Sequence, residues 1–186
     1  MTIYIALLRG INVGGKNMIK MTELKRILEA IGLDRVQTYI QSGNILFESN
    51  EEEDSLRKRI ENQIEAVFSL KIPVIIRTMD ELKRIAANCP FSEKEISEAE
   101  SSNEGESLYV SLMLEEPLAE RIERLKSFKS DTDEYQIVGR DIYLLFRNSI
   151  RNSKLANNLQ KLDVPATVRN WKTINKLVSL AVALVV

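Results

Sequence analysis

Two segments of this chain follow one pattern 92 positions apart: Ile72-Pro73-Val74-Ile75-Ile76-Arg77-Thr78-Met79 and Val164-Pro165-Ala166-Thr167-Val168-Arg169-Asn170-Trp171. Each has an apolar residue, a proline, three strand-like residues and an arginine. Each then runs into helical spacing, through Leu82 and Ile85 in the first and Ile174 and Leu177 in the second. A repeat on that period means that one supersecondary unit is laid down twice, which confines the chain to a tandem architecture. The length of 186 residues accommodates two such units of roughly 90 residues each.

Within the first unit, Ile3 to Leu8 is an apolar run short enough for a strand buried on both faces. The glycine-containing stretch Arg9-Gly10-Ile11-Asn12-Val13-Gly14-Gly15-Lys16 breaks it. Met21, Leu24, Ile27, Leu28 and Ile31 then recur at helical spacing, with Gly32 as a stop signal. Val36 to Ile40 and Ile45 to Glu48 read as strands joined by Gln41-Ser42-Gly43-Asn44, where Gly and Asn tolerate positive φ. Leu56, Ile60, Ile64 and Val67 mark a second helix behind Glu51, Glu52, Glu53 and Asp54, whose charge suits the positive end of the helix dipole. Pro73 to Arg77 closes the unit as a fourth strand.

That order is βαββαβ, the ferredoxin-like motif. The second half repeats it: Leu108 to Leu114 as strand, Pro117 to Phe128 as helix, a hairpin of Tyr135 to Val138 and Ile142 to Phe146, and a helix through Leu155, Leu159 and Leu162. The expected fold is therefore α+β, a tandem duplication of two ferredoxin-like (βαββαβ) subdomains with added helices. The first subdomain spans residues 1–90, including a helix after the capping-box sequence Thr78-Met79-Asp80-Glu81. Residues 91–107, rich in Glu and Ser, read as an acidic linker or mobile loop, and residues 108–186 form the second subdomain with an apolar terminal helix.

Composition narrows the chemistry. There is no histidine and one cysteine, Cys89, so His-based triads, His metal sites and redox cysteine pairs are excluded. Lys and Arg number 26 against 27 Asp and Glu, so nucleic acid or a membrane surface exerts no global pull. The apolar tail from Leu177 to Val186 is too short for a bilayer, which needs about 20 residues, and the amino-terminal run reads as a strand without the features of a signal peptide. A cytoplasmic location without membrane association is expected. No cofactor, metal site or oligomeric state is specified.

Topology points to one corner. In a ferredoxin-like sheet of order 4-1-3-2, strands 1 and 2 run the same way. The loop after the first strand and the hairpin tip at Gln41 to Asn44 therefore emerge at the same rim. Arg9 and Lys16 bring positive charge there, Gly14 and Gly15 bring accessible amides, and Asn12, Gln41, Ser42 and Asn44 bring directional hydrogen bonds. This corner suits a small anionic or phosphorylated ligand. The matching corner of the second half holds Glu115, Glu116 and Pro117 instead.

Gly10 to Asn17 nearly matches the phosphate-loop pattern GxxxxGK[ST], but Asn17 replaces the metal-binding hydroxyl and the helix begins only near Met21. A second candidate is the stretch from Arg140 to Lys176, with eight basic residues against two acidic. Its Arg147, Arg151, Lys154, Arg169, Asn170, Trp171, Lys172 and Lys176 form an alternative site for RNA or a nucleotide. A third reading is a structural or interaction protein with no ligand. No residue set specifies an enzyme.

The motifs Ala6-Leu7-Leu8-Arg9-Gly10-Ile11-Asn12-Val13-Gly14-Gly15-Lys16, Thr38-Tyr39-Ile40-Gln41-Ser42-Gly43-Asn44, Arg77-Thr78 and Ala166-Thr167-Val168-Arg169-Asn170-Trp171-Lys172-Thr173 resemble the bacterial domain of unknown function 1697 (DUF1697) family. The resemblance spans nearly the whole chain and implies a duplicated α+β architecture related to the ferredoxin-like fold. It implies no reaction.

Overall fold

The run from Ile3 to Leu8 forms β1 (Thr2–Leu8), every residue of which after Thr2 is buried. The structure, a computed structural model, describes residues Met1–Val186. β1 is followed by α1 (Met21–Ala30), β2 (Asp34–Tyr39), β3 (Asn44–Ser49), α2 (Glu53–Phe68) and β4 (Val74–Thr78). The sheet order is β2-β3-β1-β4, antiparallel throughout, as the βαββαβ sequence requires. Register places Tyr4 opposite Phe47, Leu7 opposite Asn44 and Ile5 opposite Arg77.

Strand alternation decides which side chains meet the helices. Tyr4, Ala6, Leu8, Ile45 and Phe47 share one core with Leu24 and Leu28 of α1 and Leu56, Ile60 and Ile64 of α2. Burial of each of these leucine and isoleucine side chains stabilises the fold by roughly 2 kcal/mol. The alternate residues Ile5, Leu7, Leu46 and Ile75 are also withdrawn from solvent, as a strand apolar on both faces demands.

α3 (Met79–Ala87) starts at the expected capping box. The Thr78 amide donates to the Glu81 carboxylate at 2.8 Å, and the Glu81 amide donates back to Thr78 Oγ1 at 3.1 Å. The stretch 91–107 departs from the acidic linker or mobile loop expected of it. It contains α4 (Glu93–Ser101), capped by Ser92, whose hydroxyl accepts from the Glu95 amide at 3.1 Å while Glu95 accepts from the Ser92 amide at 2.7 Å. Glutamate is a good helix former once such a cap starts the helix, and Ala99 anchors its buried side.

The second sheet comprises β5 (Leu108–Met113), β6 (Asp133–Val138), β7 (Asp141–Phe146) and β8 (Ala166–Asn170) in the order β6-β7-β5-β8, the same topology as the first. α5 (Ala119–Lys126) begins two residues after Pro117 and not at it, with Leu118 in extended conformation as its cap. The expected helix through Leu155, Leu159 and Leu162 is broken into α6 (Lys154–Asn157) between two short 3-10 turns, Ile150–Asn152 and Leu159–Leu162. Asn158 Nδ2 donates to the Lys154 carbonyl at 2.6 Å, a local bond that competes with helix continuation.

The final helix, α7 (Trp171–Leu184), lies apolar side in, with Leu177, Ala181 and Leu184 buried. The chain divides into two compact units, Met1–Arg84 with Asn175–Val186, and Ile85–Ile174. The tail thus belongs with the first unit and not with residues 108–186, because helical spacing defines an apolar face but not the core that receives it. No helix is long and apolar enough to cross a membrane.

Candidate functional site

The loop after β1 folds into a miniature hairpin. Gly14 (φ 58°) and Gly15 (φ 72°) occupy the two central positions of a turn closed by the Lys16 amide donating to the Val13 carbonyl at 3.0 Å. Two successive positive φ angles define a type I′ turn, which glycine adopts without a Cβ clash. The Gly14 and Gly15 amides are left at an exposed tip, and residues Val13 to Met18 are all exposed. α1 begins only at Met21, so these amides do not converge at a helix N-terminus and the phosphate-loop pattern is not realised.

This knuckle and the β2–β3 hairpin meet at one rim. Asn12 Nδ2 donates to the Gln41 carbonyl at 2.8 Å and to the Ile19 carbonyl at 2.9 Å, while its Oδ1 accepts from the Ile19 amide at 2.8 Å. One side chain therefore ties both ends of the knuckle to the hairpin. The Leu8 amide also donates to the Gly43 carbonyl at 2.8 Å. Gly43 (φ 86°) has no room for a side chain: a Cβ there would lie 2.7 Å from Ile11 Cδ1 and 2.8 Å from Leu8 Cβ.

The polar residues expected at this corner divide into two groups. Asn12 and Asn44 hold the scaffold. Asn44 is fully buried and donates to the Tyr39 carbonyl and to Ser42 Oγ, each at 2.9 Å, which occupies the expected ligand donors Asn44 and Ser42 within the turn. Arg9, Lys16 and Gln41 are exposed, and neither cation has a carboxylate partner. Lys20, which precedes α1, is a third exposed cation of the knuckle that the motif reading missed. Exposed Val13 and Met18, at 64% and 65%, lie among them, and Ile40 (φ 49°) sits beside Gln41.

The basic stretch from Arg140 to Lys176 is not one surface. Arg147 pairs with Glu134 at 2.8 Å and Lys172 with Glu106 at 2.8 Å. Arg169 is buried, donating to Thr167 Oγ1 at 2.7 Å and the Val168 carbonyl at 3.0 Å, and burial lowers its guanidinium to about 10. Asn170 caps α7 by accepting from the Thr173 amide at 2.8 Å, and Trp171 lies against Tyr143 with ring centres 6.3 Å apart. Arg151, Lys154 and Lys176 remain exposed, and Lys176 belongs to the first unit. The Cys89 thiol is pushed up chiefly by burial, the opposite of what a reactive thiolate needs.

Comparison with known proteins gives a family and a solved structure of the same architecture. The family model described as protein of unknown function (DUF1697) matches residues 1–143. The structure of a conserved bacterial protein of Streptococcus pneumoniae, SP0830, aligns at 27% identity and a TM-score of 0.71, covering 97% of this chain and 98% of that one. A "putative glycine cleavage system transcriptional repressor" aligns over 90% of this chain and 95% of that one at 12% identity, with a TM-score of 0.22. No curated protein matches the sequence.

Proposed function

The chain belongs to the DUF1697 family of proteins of unknown function, and from that premise we propose that it binds a small anionic or phosphorylated ligand at the rim formed by the β1–α1 knuckle and the β2–β3 hairpin. The observation that carries this reading is the Asn12 clamp, which joins two segments 29 positions apart. It sets unpaired Arg9, Lys16 and Lys20 on the same knuckle as two glycine amides without intramolecular partners. Arg9 and Lys16 supply charge, the Gly14 and Gly15 amides supply hydrogen bonds to oxygen, and Asn12 and Asn44 are positioning residues. Because the knuckle projects into solvent, the attraction is screened by salt. A cytoplasmic location, where phosphorylated metabolites are abundant, belongs to the same reading.

The test is a titration of the full chain with pyrophosphate, followed at the Gly14 and Gly15 amides by NMR. Saturable shifts that weaken with added salt, and that disappear in Arg9→Ala with Lys16→Ala, support the site. Shifts that persist in the double variant reject it.

A second reading, an interaction surface without a ligand, is favoured by the exposed side chains of Val13 and Met18. It predicts that pyrophosphate produces no saturable shift at the Gly14 and Gly15 amides and that Val13→Ser with Met18→Ser abolishes the retention of a partner.

A further inference from the structure

The second unit contains a cleft of about 440 Å³ lined by Arg121, Arg124, Ser127, Phe128 and Lys161, with no carboxylate among its walls. Two elements distant in sequence build it. Arg121 and Arg124 stand three residues apart on α5 and so share a helix face. Lys161 comes from the 3-10 turn Leu159–Leu162, and its Nζ sits 4.6 Å from the centre of the Phe128 ring. That cation–π contact fixes the ammonium at the cleft wall.

The charges of this cleft are poorly compensated by the protein itself. Arg124 and Lys161 have no ion-pair partner. Arg121 reaches Asp163 at 3.7 Å and Glu120 at 4.0 Å, but both carboxylates are largely exposed, at 79% and 67%, so water weakens these pairs. The neighbouring Glu123 is engaged by Lys126 at 2.6 Å. The carbonyls at the end of α5 are also occupied: Arg124 accepts from Ser127 Oγ, Leu125 from the Phe128 amide and Lys126 from the Lys129 amide.

We propose that this cleft is a second, independent binding site, one that takes a phosphorylated small molecule with a planar or apolar body. Two arginine forks and an ammonium match the charge and geometry of phosphate oxygens. Phe128 supplies an apolar wall, and the volume falls within the range of small-molecule sites, roughly 300–1,000 Å³.

The experiment uses the full chain carrying Arg9→Ala and Lys16→Ala, so that the knuckle makes no contribution. Calorimetric titration with pyrophosphate and with adenosine monophosphate at fixed ionic strength is expected to show saturable binding of both, and none of adenosine. Adding Arg124→Ala with Lys161→Ala weakens binding at least tenfold. Arg124→Ala alone, at an exposed side chain outside any ion pair, weakens it severalfold without touching the Phe128 contact. Binding unchanged by these substitutions, adenosine binding as well as its monophosphate, or no saturable binding of either phosphate probe overturns the proposal. So does a ribo-oligonucleotide binding with length-dependent affinity where the monophosphate does not.

Discussion

Arg77 and Arg169 occupy equivalent places in the two sheets. Arg77 lies opposite Ile5 on the first strand of its sheet and Arg169 opposite Val110 on the first strand of the other. Each donates from Nη1 to the carbonyl of the residue before it, at 3.0 Å in both cases, and each is buried, at 1% and 7% exposure. Each is the penultimate residue of its strand, followed by a capping residue, Thr78 or Asn170, that closes the strand and opens the next helix. The duplication thus extends from strand order to single side-chain bonds.

A buried guanidinium cannot be removed without exposing its acceptors to an apolar environment. Arg77→Ala and Arg169→Ala are each expected to destabilise the fold by about 3 kcal/mol, through lost bonds and the space left behind. Urea unfolding of both variants checks this. A loss under about 1 kcal/mol at either position would show that the arginine is not structural.

Gly43 is the tightest point of the rim. Gly43→Ala places a methyl within 3 Å of Ile11 and Leu8 and keeps a positive φ. The expected cost is about 3 kcal/mol from overpacking and backbone strain together. Thermal denaturation reads it directly, and Gly14→Ala, where a Cβ meets nothing within 4 Å, is the control that carries only the backbone part.

Ile40 holds a β-branched side chain at φ 49° while 47% exposed. Asparagine tolerates this region far better, and little burial is lost. Ile40→Asn is expected to stabilise the protein by about 1 kcal/mol, seen as a higher urea midpoint. A lower midpoint would show that the side chain contributes more by contact than it costs in strain.

Tyr143 donates its hydroxyl proton to the Ile85 carbonyl at 2.8 Å, and burial, with smaller contributions from Asp141 and Cys89, pushes its phenol up to about 12. The unfolded value is near 10. Between these values the unfolded chain has released a proton that the folded chain keeps, so stability falls as pH rises. The loss attributable to Tyr143 is about 2 kcal/mol by pH 12. The difference between wild type and Tyr143→Phe in chemical denaturation across pH 9 to 12 isolates it, because Arg169, whose lowered value acts in the opposite direction, is common to both. A constant difference across that range would contradict the assignment.

Much of this structure is legible in the sequence because hydrophobic periodicity and a βαββαβ order leave one sheet topology with few alternatives. The meeting of the Arg9–Lys16 loop with the hairpin follows from that topology alone. The roles of Asn12 and Asn44 do not follow, since an amide able to hold a ligand is equally able to hold its own backbone. Composition concealed α4, where glutamates suggested solvation while Ser92 and Glu95 carried the helix signal. Pairings such as Arg147 with Glu134 and Lys172 with Glu106 depend on side chains 13 and 66 positions apart, as does the cleft built by Arg124 and Lys161. No local pattern records them.

The account's central claim is that the fold makes the rim by fastening the knuckle to the hairpin, and Asn12→Ala tests it without removing any cation. Pyrophosphate affinity, read at the Gly14 and Gly15 amides, is compared with wild type while the amides of α2 and β4, in the same unit as the rim, report that the fold is retained. The account predicts at least a tenfold loss although Arg9, Lys16 and Lys20 are all present. An unchanged affinity would mean that the cations act without the clamp and that the convergence does not create the site.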